Sequence, residues 1–186
     1  STPIKSSAAS DVYKRQGLHE RYGLKKLTEA FMMLPQENFR LKLFGSGPFV
    51  EKLKTKYTKK DSRIQYMGVA PNAEVVAAEL DASLLVNPRP THEEFTKYSF
   101  PSKNIEYMAS GTPLLTTKLP GMPKEYYPYV FLIENESVEG YAKALESVLA
   151  QSDEELYVFG EKAKDFVLEK KNSFEQAKRV IELIKL

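Results

Sequence analysis

Short apolar segments alternate with stretches of helical periodicity from Gly17 to the end of the chain. The predicted strands are 39–44, 64–67, 82–86, 113–116 and 130–133, and the predicted helices are 24–34, 49–60, 72–80, 101–110, 137–150, 153–170 and 174–184. The segment from Ala82 to Val86 is almost continuously apolar, which is typical of a strand that is buried on both faces. Strands that alternate with helices at this spacing predict a mostly parallel sheet with helices on both faces.

The chain length of 186 residues suits one domain. We therefore predict a single α/β domain, a Rossmann-like doubly wound parallel sheet, over residues 17–186. Residues 1–16 are mostly small and polar, have neither a helical nor a strand period, and are expected to form a disordered or non-native leader. The segment 7–16 also resembles a string found at the broken ends of sequences assembled from mixed environmental DNA, which would mean that the native protein continues upstream.

The composition excludes several kinds of site. The chain has no cysteine, which excludes disulfides, thiolate metal sites and a cysteine nucleophile, and which fits a reducing compartment such as the cytoplasm. The two histidines, His19 and His92, lie far apart and no Asp-x-Asp pair occurs, so we expect neither a metal nor another cofactor. A formal net charge of +2 predicts no nucleic-acid partner.

The densest group of polar side chains lies between Thr91 and Gly111, after one buried strand and at the start of a helix. Parallel sheets bind ligands at the carboxyl ends of their strands, where this segment is expected. A helix that begins near Pro101 offers free N–H groups and a partial positive charge to a phosphate, and Lys103 adds a full charge. Glu106 shares a flank with Lys103 one turn later, where a carboxylate can accept two hydrogen bonds from a diol such as a ribose.

The run 101–113 resembles the sugar-nucleotide motif of retaining family-4 glycosyltransferases of the GT-B fold, the glycosyl transferases group 1. Further segments that resemble this family in the same order are 17–23, 41–48, 61–68 and 134–137. The resemblance covers about 17–150. It implies that the chain is the nucleotide-sugar-binding C-terminal half of a two-domain enzyme whose N-terminal domain is missing.

The resemblance assigns roles to two glutamates. Glu106 resembles the second glutamate of the family's paired-glutamate motif, which holds the ribose. The first glutamate normally stands eight positions earlier, near the donor sugar and the acceptor, but that position here is Tyr98. We interpret the loop as a longer variant in which Glu94 is the first, catalytic glutamate, with Glu93 as the competing candidate.

The loop that opens the domain departs from the family pattern. The family places an Arg just after the first glycine of this loop and a Lys just before the second, and these positions here are Leu18 and Tyr22. Arg21 stands beside the second position, so diphosphate binding is expected to depend on Arg21, Lys103 and the helix start. The other predicted donor contacts are Ser102, Gly17, Gly45, Gly47, Val69 and Ala70, of which the last two would pack near the base.

The function implied by the resemblance is transfer of a sugar from a nucleotide-diphosphate donor, with retention, in polysaccharide or glycoconjugate synthesis. The acceptor, a glycan or a lipid-linked sugar, would be bound largely by the missing domain, and the full-length protein would work in the cytoplasm or peripherally at the inner face of the membrane. This chain alone is expected to bind donor weakly and to transfer little. Cations and the helix dipole would stabilise the leaving group without a metal.

Three other functions remain open at the level of the sequence. The chain could be a non-catalytic nucleotide-sugar-binding subunit that needs a separate partner chain. It could be half of a sugar-nucleotide epimerase, which shares the two-domain architecture. The Gly45-Ser46-Gly47 turn also allows a dinucleotide-binding domain, although the third glycine of that fingerprint is absent.

Overall fold

The computed structural model describes residues 11–15 and 17–184. Six strands form one parallel sheet: β1 (Asp11–Arg15), β2 (Arg40–Phe44), β3 (Ile64–Gly68), β4 (Leu84–Asn87), β5 (Leu114–Thr117) and β6 (Phe131–Ile133). Their order across the sheet is β3-β2-β1-β4-β5-β6, and all five neighbouring pairs are parallel. This confirms the predicted Rossmann-like doubly wound fold.

Within the described residues, eight α-helical segments connect or follow these strands. They are α1 (Leu24–Phe31), α2 (Phe49–Lys52), α3 (Thr58–Lys60), α4 (Asn72–Asp81), α5 (Ser102–Ala109), α6 (Val138–Leu149), α7 (Asp153–Lys170) and α8 (Ser173–Ile184). A π-helical turn at Leu53–Tyr57 joins α2 to α3, so the predicted helix 49–60 is one element with a widened middle. Short 3-10 turns lie at Glu20–Tyr22, Glu94–Thr96 and Lys124–Tyr129.

The sheet has an apolar core on each face. Along β4, Leu84 and Val86 pack in the core that α1, α2 and α6 cover, whereas Leu85 packs in the core that α4, α5 and α7 cover. Successive side chains of a strand point to opposite faces. Burial on both faces explains why the segment of β4 is apolar at almost every position.

Residues 11–15 correct the prediction of a leader over 1–16. They form β1, which lies between β2 and β4, and Val12 and Tyr13 are fully buried. A five-residue strand with two apolar side chains is too short to show a period, so composition alone hides it. Residues 1–10 and residue 16 lie outside the described residues, and the leader remains a prediction there.

The last two helices differ in how they pack. Helix α7 packs on α5 and on the turn at Lys124–Tyr129. It buries Leu156, Ala163 and Val167 against this domain. The apolar side chains of α8 are exposed: Phe174, Val180, Ile181, Leu183 and Ile184.

Candidate functional site

The strand order creates a crevice between the carboxyl ends of β1 and β4. The chain runs from β1 to β2 and β3 on one side, then crosses to β4, β5 and β6 on the other. Open parallel sheets bind ligands where the strand order reverses in this way. The segments that border the crevice are 17–23, after β1, and 88–100, after β4.

The opening loop, 17–23, is locked to the loop that follows β2. Leu18 is fully buried. Its N–H donates to the Ser46 carbonyl at 2.7 Å, and its carbonyl accepts from the Phe49 N–H at 2.9 Å. Gly47 has φ +148°, and a Cβ there would lie 2.5 Å from the Leu18 carbonyl oxygen. Gly47 therefore has a packing role, and the side chain of Leu18 packs in the core.

An aromatic pair joins the opening loop to the loop after β4. The rings of Tyr22 and Phe95 meet edge to face, with centroids 5.8 Å apart. The Arg89 guanidinium lies 5.1 Å from the Tyr22 ring centroid and 5.9 Å from that of Phe95. Arg21, which the sequence singled out, lies 5.2 Å and 5.9 Å from the same centroids. Two arginines therefore pack on one aromatic pair at the crevice.

Arg89 is the residue that the sequence interpretation missed. Its side chain is half-buried, and burial lowers the pKa of its guanidinium below the ordinary value. No carboxylate of the described residues forms an ion pair with it. Its position between Pro88 and Pro90, directly after a buried strand, is the sequence signal that could have identified it.

Lys14 of β1 lies beside this group of cations. Its side chain is buried, and its Nζ is 3.5 Å from Oδ1 of Asn87 at the end of β4. Burial, and after it the positive charges of Arg89 and Lys103, lower the pKa of Lys14 from 10.5 to about 7. The carboxyl ends of the central strands thus carry a concentration of positive charge.

The start of α5 is anchored to β4 and open to solvent. Asn104 is buried and its side-chain oxygen accepts a hydrogen bond from the Asn87 amide. Pro101 precedes the helix, no side chain caps its first turn, and Ser102 is exposed. The Asn104 N–H donates to the Pro101 carbonyl at 2.9 Å, whereas the N–H groups before it have no partner within the helix, so this start can accept an anion.

Lys103 and Glu106 lie together on one flank of α5, as their spacing predicted. Their side chains form an ion pair. The Lys103 side chain is 15% exposed and that of Glu106 is 41% exposed. The Glu106 side chain is therefore more exposed to solvent than the Lys103 side chain that it contacts.

Glu93 and Glu94 occupy different surroundings in the loop after β4. Glu94 is exposed at the start of the 3-10 turn. The Glu93 carboxylate lies 3.9 Å from Nε2 of His92, and the Glu93 carbonyl accepts a hydrogen bond from the Thr96 hydroxyl at 2.6 Å. Tyr98, eight positions before Glu106, is 87% exposed. The turn holds Glu93 more firmly and leaves the carboxylate of Glu94 in solvent.

The remaining predicted contacts lie toward β3. The Gly45 N–H donates to the Gly68 carbonyl at 2.8 Å, and the Gly45 carbonyl accepts from the Tyr66 hydroxyl at 2.9 Å. Val69 is 76% exposed. Ala70 is half-buried beside Val69, whereas Gly17 lies in the opening loop and packs against the rings of His19 and Tyr22. The structure thus brings the predicted residues to the carboxyl ends of the strands. However, β2 and β1 separate the end of β3 from the crevice.

Two further features concern metals and membranes. Within residues 11–15 and 17–184, no three histidine, aspartate or glutamate side chains cluster in a way that could hold a metal ion. None of the helices in the described part of the chain is long and apolar enough to cross a membrane.

Comparison with known proteins gives a family match over most of the chain. The model of the family described as glycosyl transferases group 1 matches residues 12–166, and the match begins inside β1. The colanic acid biosynthesis glycosyltransferase WcaL of Escherichia coli (strain K12) is 29% identical over 128 residues, which cover 66% of this chain and 31% of WcaL.

Solved structures share the fold. The C-terminal domain of LpcC, a glycosyl transferase group 1 family protein from Francisella tularensis, has a TM-score of 0.72 at 19% identity, covering 88% of this chain and 87% of that domain. HepE of Anabaena, solved in complex with UDP and glucose, has a TM-score of 0.75 at 15% identity, covering 96% of this chain and 49% of HepE. The chain therefore spans about a third of WcaL and half of HepE, but almost all of one C-terminal domain.

Proposed function

The chain belongs to the glycosyl transferases group 1 family, and from this premise we propose that it is the donor-binding domain of a retaining, family-4-like glycosyltransferase. It binds a nucleoside-diphosphate sugar, and the complete enzyme transfers the sugar to a glycan or a lipid-linked acceptor. The observation that carries this proposal is the start of α5, which opens at the crevice with Lys103 and Glu106 on one flank.

The geometry of α5 suits two parts of a nucleoside diphosphate, the diphosphate and the ribose. The diphosphate lies at the uncapped helix start, where the N–H groups and Lys103 supply positive charge. The ribose diol lies one turn further along, where the Glu106 carboxylate accepts a hydrogen bond from each of its two hydroxyls. Donor binding then separates the ion pair between Lys103 and Glu106, because the phosphate takes the ammonium group and the diol takes the carboxylate.

The same charges serve the chemical step. When the bond from the sugar to the diphosphate breaks, negative charge grows on the leaving phosphate oxygens. Positive groups already held at that place stabilise this charge without having to reorganise. Lys103, Arg21 and the helix start are the groups we assign to this role. Glu94, with its exposed carboxylate in the loop after β4, is the residue we assign to the donor sugar and the acceptor.

The complete protein needs more than this domain. The chain spans 31% of WcaL, and a transfer step needs a cleft that orients both reactants and excludes water. We therefore expect this chain by itself to bind donor weakly and to transfer little. The name of WcaL supports polysaccharide synthesis as the process, and the UDP bound to HepE makes uridine donors the first to test. Such a protein would act in the cytoplasm, at the inner face of the membrane.

Titration calorimetry with UDP-, GDP- and ADP-sugars tests the proposal, using the chain and its Glu106→Ala variant. The variant should lose about 1.5–3 kcal/mol of binding free energy, the range for a hydrogen bond to a charged group. Glu161→Ala is the matched control, because Glu161 forms an i,i+3 ion pair with Lys164 on α7. If both variants bind the preferred donor as the wild type does, Glu106 is not at the site and the assignment fails.

A further inference from the structure

We propose that Arg89 is the principal diphosphate-binding cation of this domain, and that Tyr22 is the residue that positions it. Together they replace the two cations that the opening loop lacks at positions 18 and 22. This inference rests on the proposed function, since the diphosphate is that of the sugar donor.

The opening loop cannot supply a cation from either of these positions. Leu18 is fully buried, and both its N–H and its carbonyl are already bonded to the loop after β2. Tyr22 carries no charge and its ring faces Phe95 and Arg89. Positions 18 and 22 therefore supply no positive charge to a diphosphate on this side of the crevice.

The backbone of Arg89 is held in place from two sides. The Pro88 carbonyl accepts a hydrogen bond from the Tyr141 hydroxyl at 2.9 Å, and the Arg89 carbonyl accepts one from the Thr117 hydroxyl. Gly23 lies so close that a Cβ there would be 1.8 Å from the Pro88 carbonyl oxygen. A fixed backbone removes the backbone part of the ordering cost when this arginine binds an anion.

The guanidinium of Arg89 is suited to bind an anion. It is half-buried, has no ion pair with a carboxylate among the described residues, and lies near enough to Lys14 for the two positive charges to interact. Phosphate oxygens would relieve this repulsion and replace the water that burial removed. The rings of Tyr22 and Phe95 hold the guanidinium beside the crevice, and its N–H groups can bind two phosphate oxygens at once.

Arg21 packs on the same rings but is less suited to this role. Its side chain is exposed, and one of its guanidinium nitrogens lies 3.4 Å from the Tyr22 hydroxyl. Water and salt screen an exposed charge much more strongly than a half-buried one. We therefore assign Arg21 a minor contribution and Arg89 the larger one.

The test compares two probes, inorganic pyrophosphate and UDP, by titration calorimetry on the full chain. Arg89→Met should weaken binding of both by about 10- to 100-fold, as expected for lost charged hydrogen bonds. Lys56→Met is the matched control, because Lys56 is an exposed cation 5.0 Å from the centroid of the Tyr57 ring, away from the crevice. It should leave both affinities within twofold.

Tyr22 has its own set of variants. Tyr22→Phe keeps the ring and should bind UDP like the wild type, whereas Tyr22→Ala should bind about tenfold more weakly. Adding Tyr22→Ala to Arg89→Met should cause no further loss, because the ring acts only through the guanidinium. In the Arg89→Met background, Tyr22→Lys should raise the affinity for UDP by about tenfold, since it returns a cation to the opening loop.

The outcomes separate this inference from the proposed function. Glu106→Ala should weaken the binding of UDP but not that of pyrophosphate, because pyrophosphate has no ribose. If the wild-type chain binds UDP and the Arg89→Met variant binds it with the same affinity, the inference about Arg89 is wrong and the proposed function stands. If neither UDP nor GDP nor ADP binds the wild-type chain, the proposed function and the inference are both wrong.

Discussion

Lys14 places an ionisable group inside the central strand of the sheet, where its side chain is buried. Its pKa in the fold is about 7, well below the ordinary 10.5. The unfolded chain therefore holds a proton between these two values that the folded chain has lost. Stability should rise with pH across this window and be lowest below about pH 7, where the folded protein must keep the charge buried.

Lys14→Met should remove this dependence. We expect the variant to be more stable than the wild type by a few kcal/mol at pH 7, because one pKa unit corresponds to about 1.4 kcal/mol. Its free energy of unfolding should also lose the rise between pH 7 and pH 10. Urea unfolding at pH 6.5, 8 and 9.5 measures both effects. Lys60→Met, at an exposed position, is the control and should change neither; a wild type whose stability is flat with pH would contradict the prediction.

The sequence predicts a contact between two side chains correctly where the two residues are close in the chain. The spacing of Lys103 and Glu106 predicted a shared flank of one helix, and the structure shows their ion pair. Arg89 was missed because its partners, Tyr22 and Phe95, belong to two different loops. Distance along the chain carries no information about such a contact. The assignment of Glu94 and Arg21 to the donor stays a prediction for the same reason.

At the scale of helices, α7 shows a tertiary contact that overrides local preference. Gly160 lies in the middle of α7, where alanine would favour the helix by about 1 kcal/mol. A Cβ at this position would lie 1.9 Å from the Gly111 carbonyl oxygen, which belongs to the backbone just after α5. The two backbones approach closely here because the glycine has no side chain.

Gly160→Ala should therefore destabilise the domain despite the gain in helix preference. We expect a loss of about 2 kcal/mol, since overpacking against backbone that cannot easily move outweighs the preference. The free energy of unfolding in urea measures it. Ser147→Ala, exposed in α6, is the control for helix preference and should be neutral or slightly stabilising. A Gly160→Ala variant as stable as the wild type would show that α7 can shift away from α5.

Among the strands, too, the local sequence identifies some elements and misses one that depends on tertiary contacts. β4 is recognisable because it is buried on both faces and three of its four residues are apolar, and β5, which is also buried throughout, begins with two leucines. β1 contains Lys14 and Asp11 among its five residues and follows a polar segment, so nothing local marks it as a strand. Its pairing with β2 and β4 supplies the hydrogen bonds that fix it, and only the assembled sheet can supply them.

At the scale of the whole molecule, the sheet and its layers end with α7. Every side chain of α8 that the structure describes is exposed or half-exposed, so α8 contributes little burial. Removing residues 173–186 should therefore change the free energy of unfolding by less than about 1 kcal/mol. Thermal and urea unfolding of the shortened chain measure the effect.

A longer truncation provides the contrast. Removing everything after Ser152 takes away α7 with its buried Leu156, Ala163 and Val167. Fully burying one aliphatic side chain is worth roughly 1.5–3 kcal/mol, and a domain has only about 5–15 kcal/mol in total. This chain should fail to fold cooperatively. If the first truncation unfolds the domain as well, α8 stabilises it through contacts that its exposure does not show.

The sequence alone determined the α/β class, the positions of five of the six strands, and the helix that carries Lys103 and Glu106. Each of these depends on periodicity or spacing within about ten residues, which local physics governs. The tertiary structure decided that residues 11–15 are the central strand, that Leu18 is buried, and that Arg89 faces the crevice on the rings of two loops. These features depend on contacts between segments distant in sequence, and such contacts are defined only when the sheet brings the strand ends together.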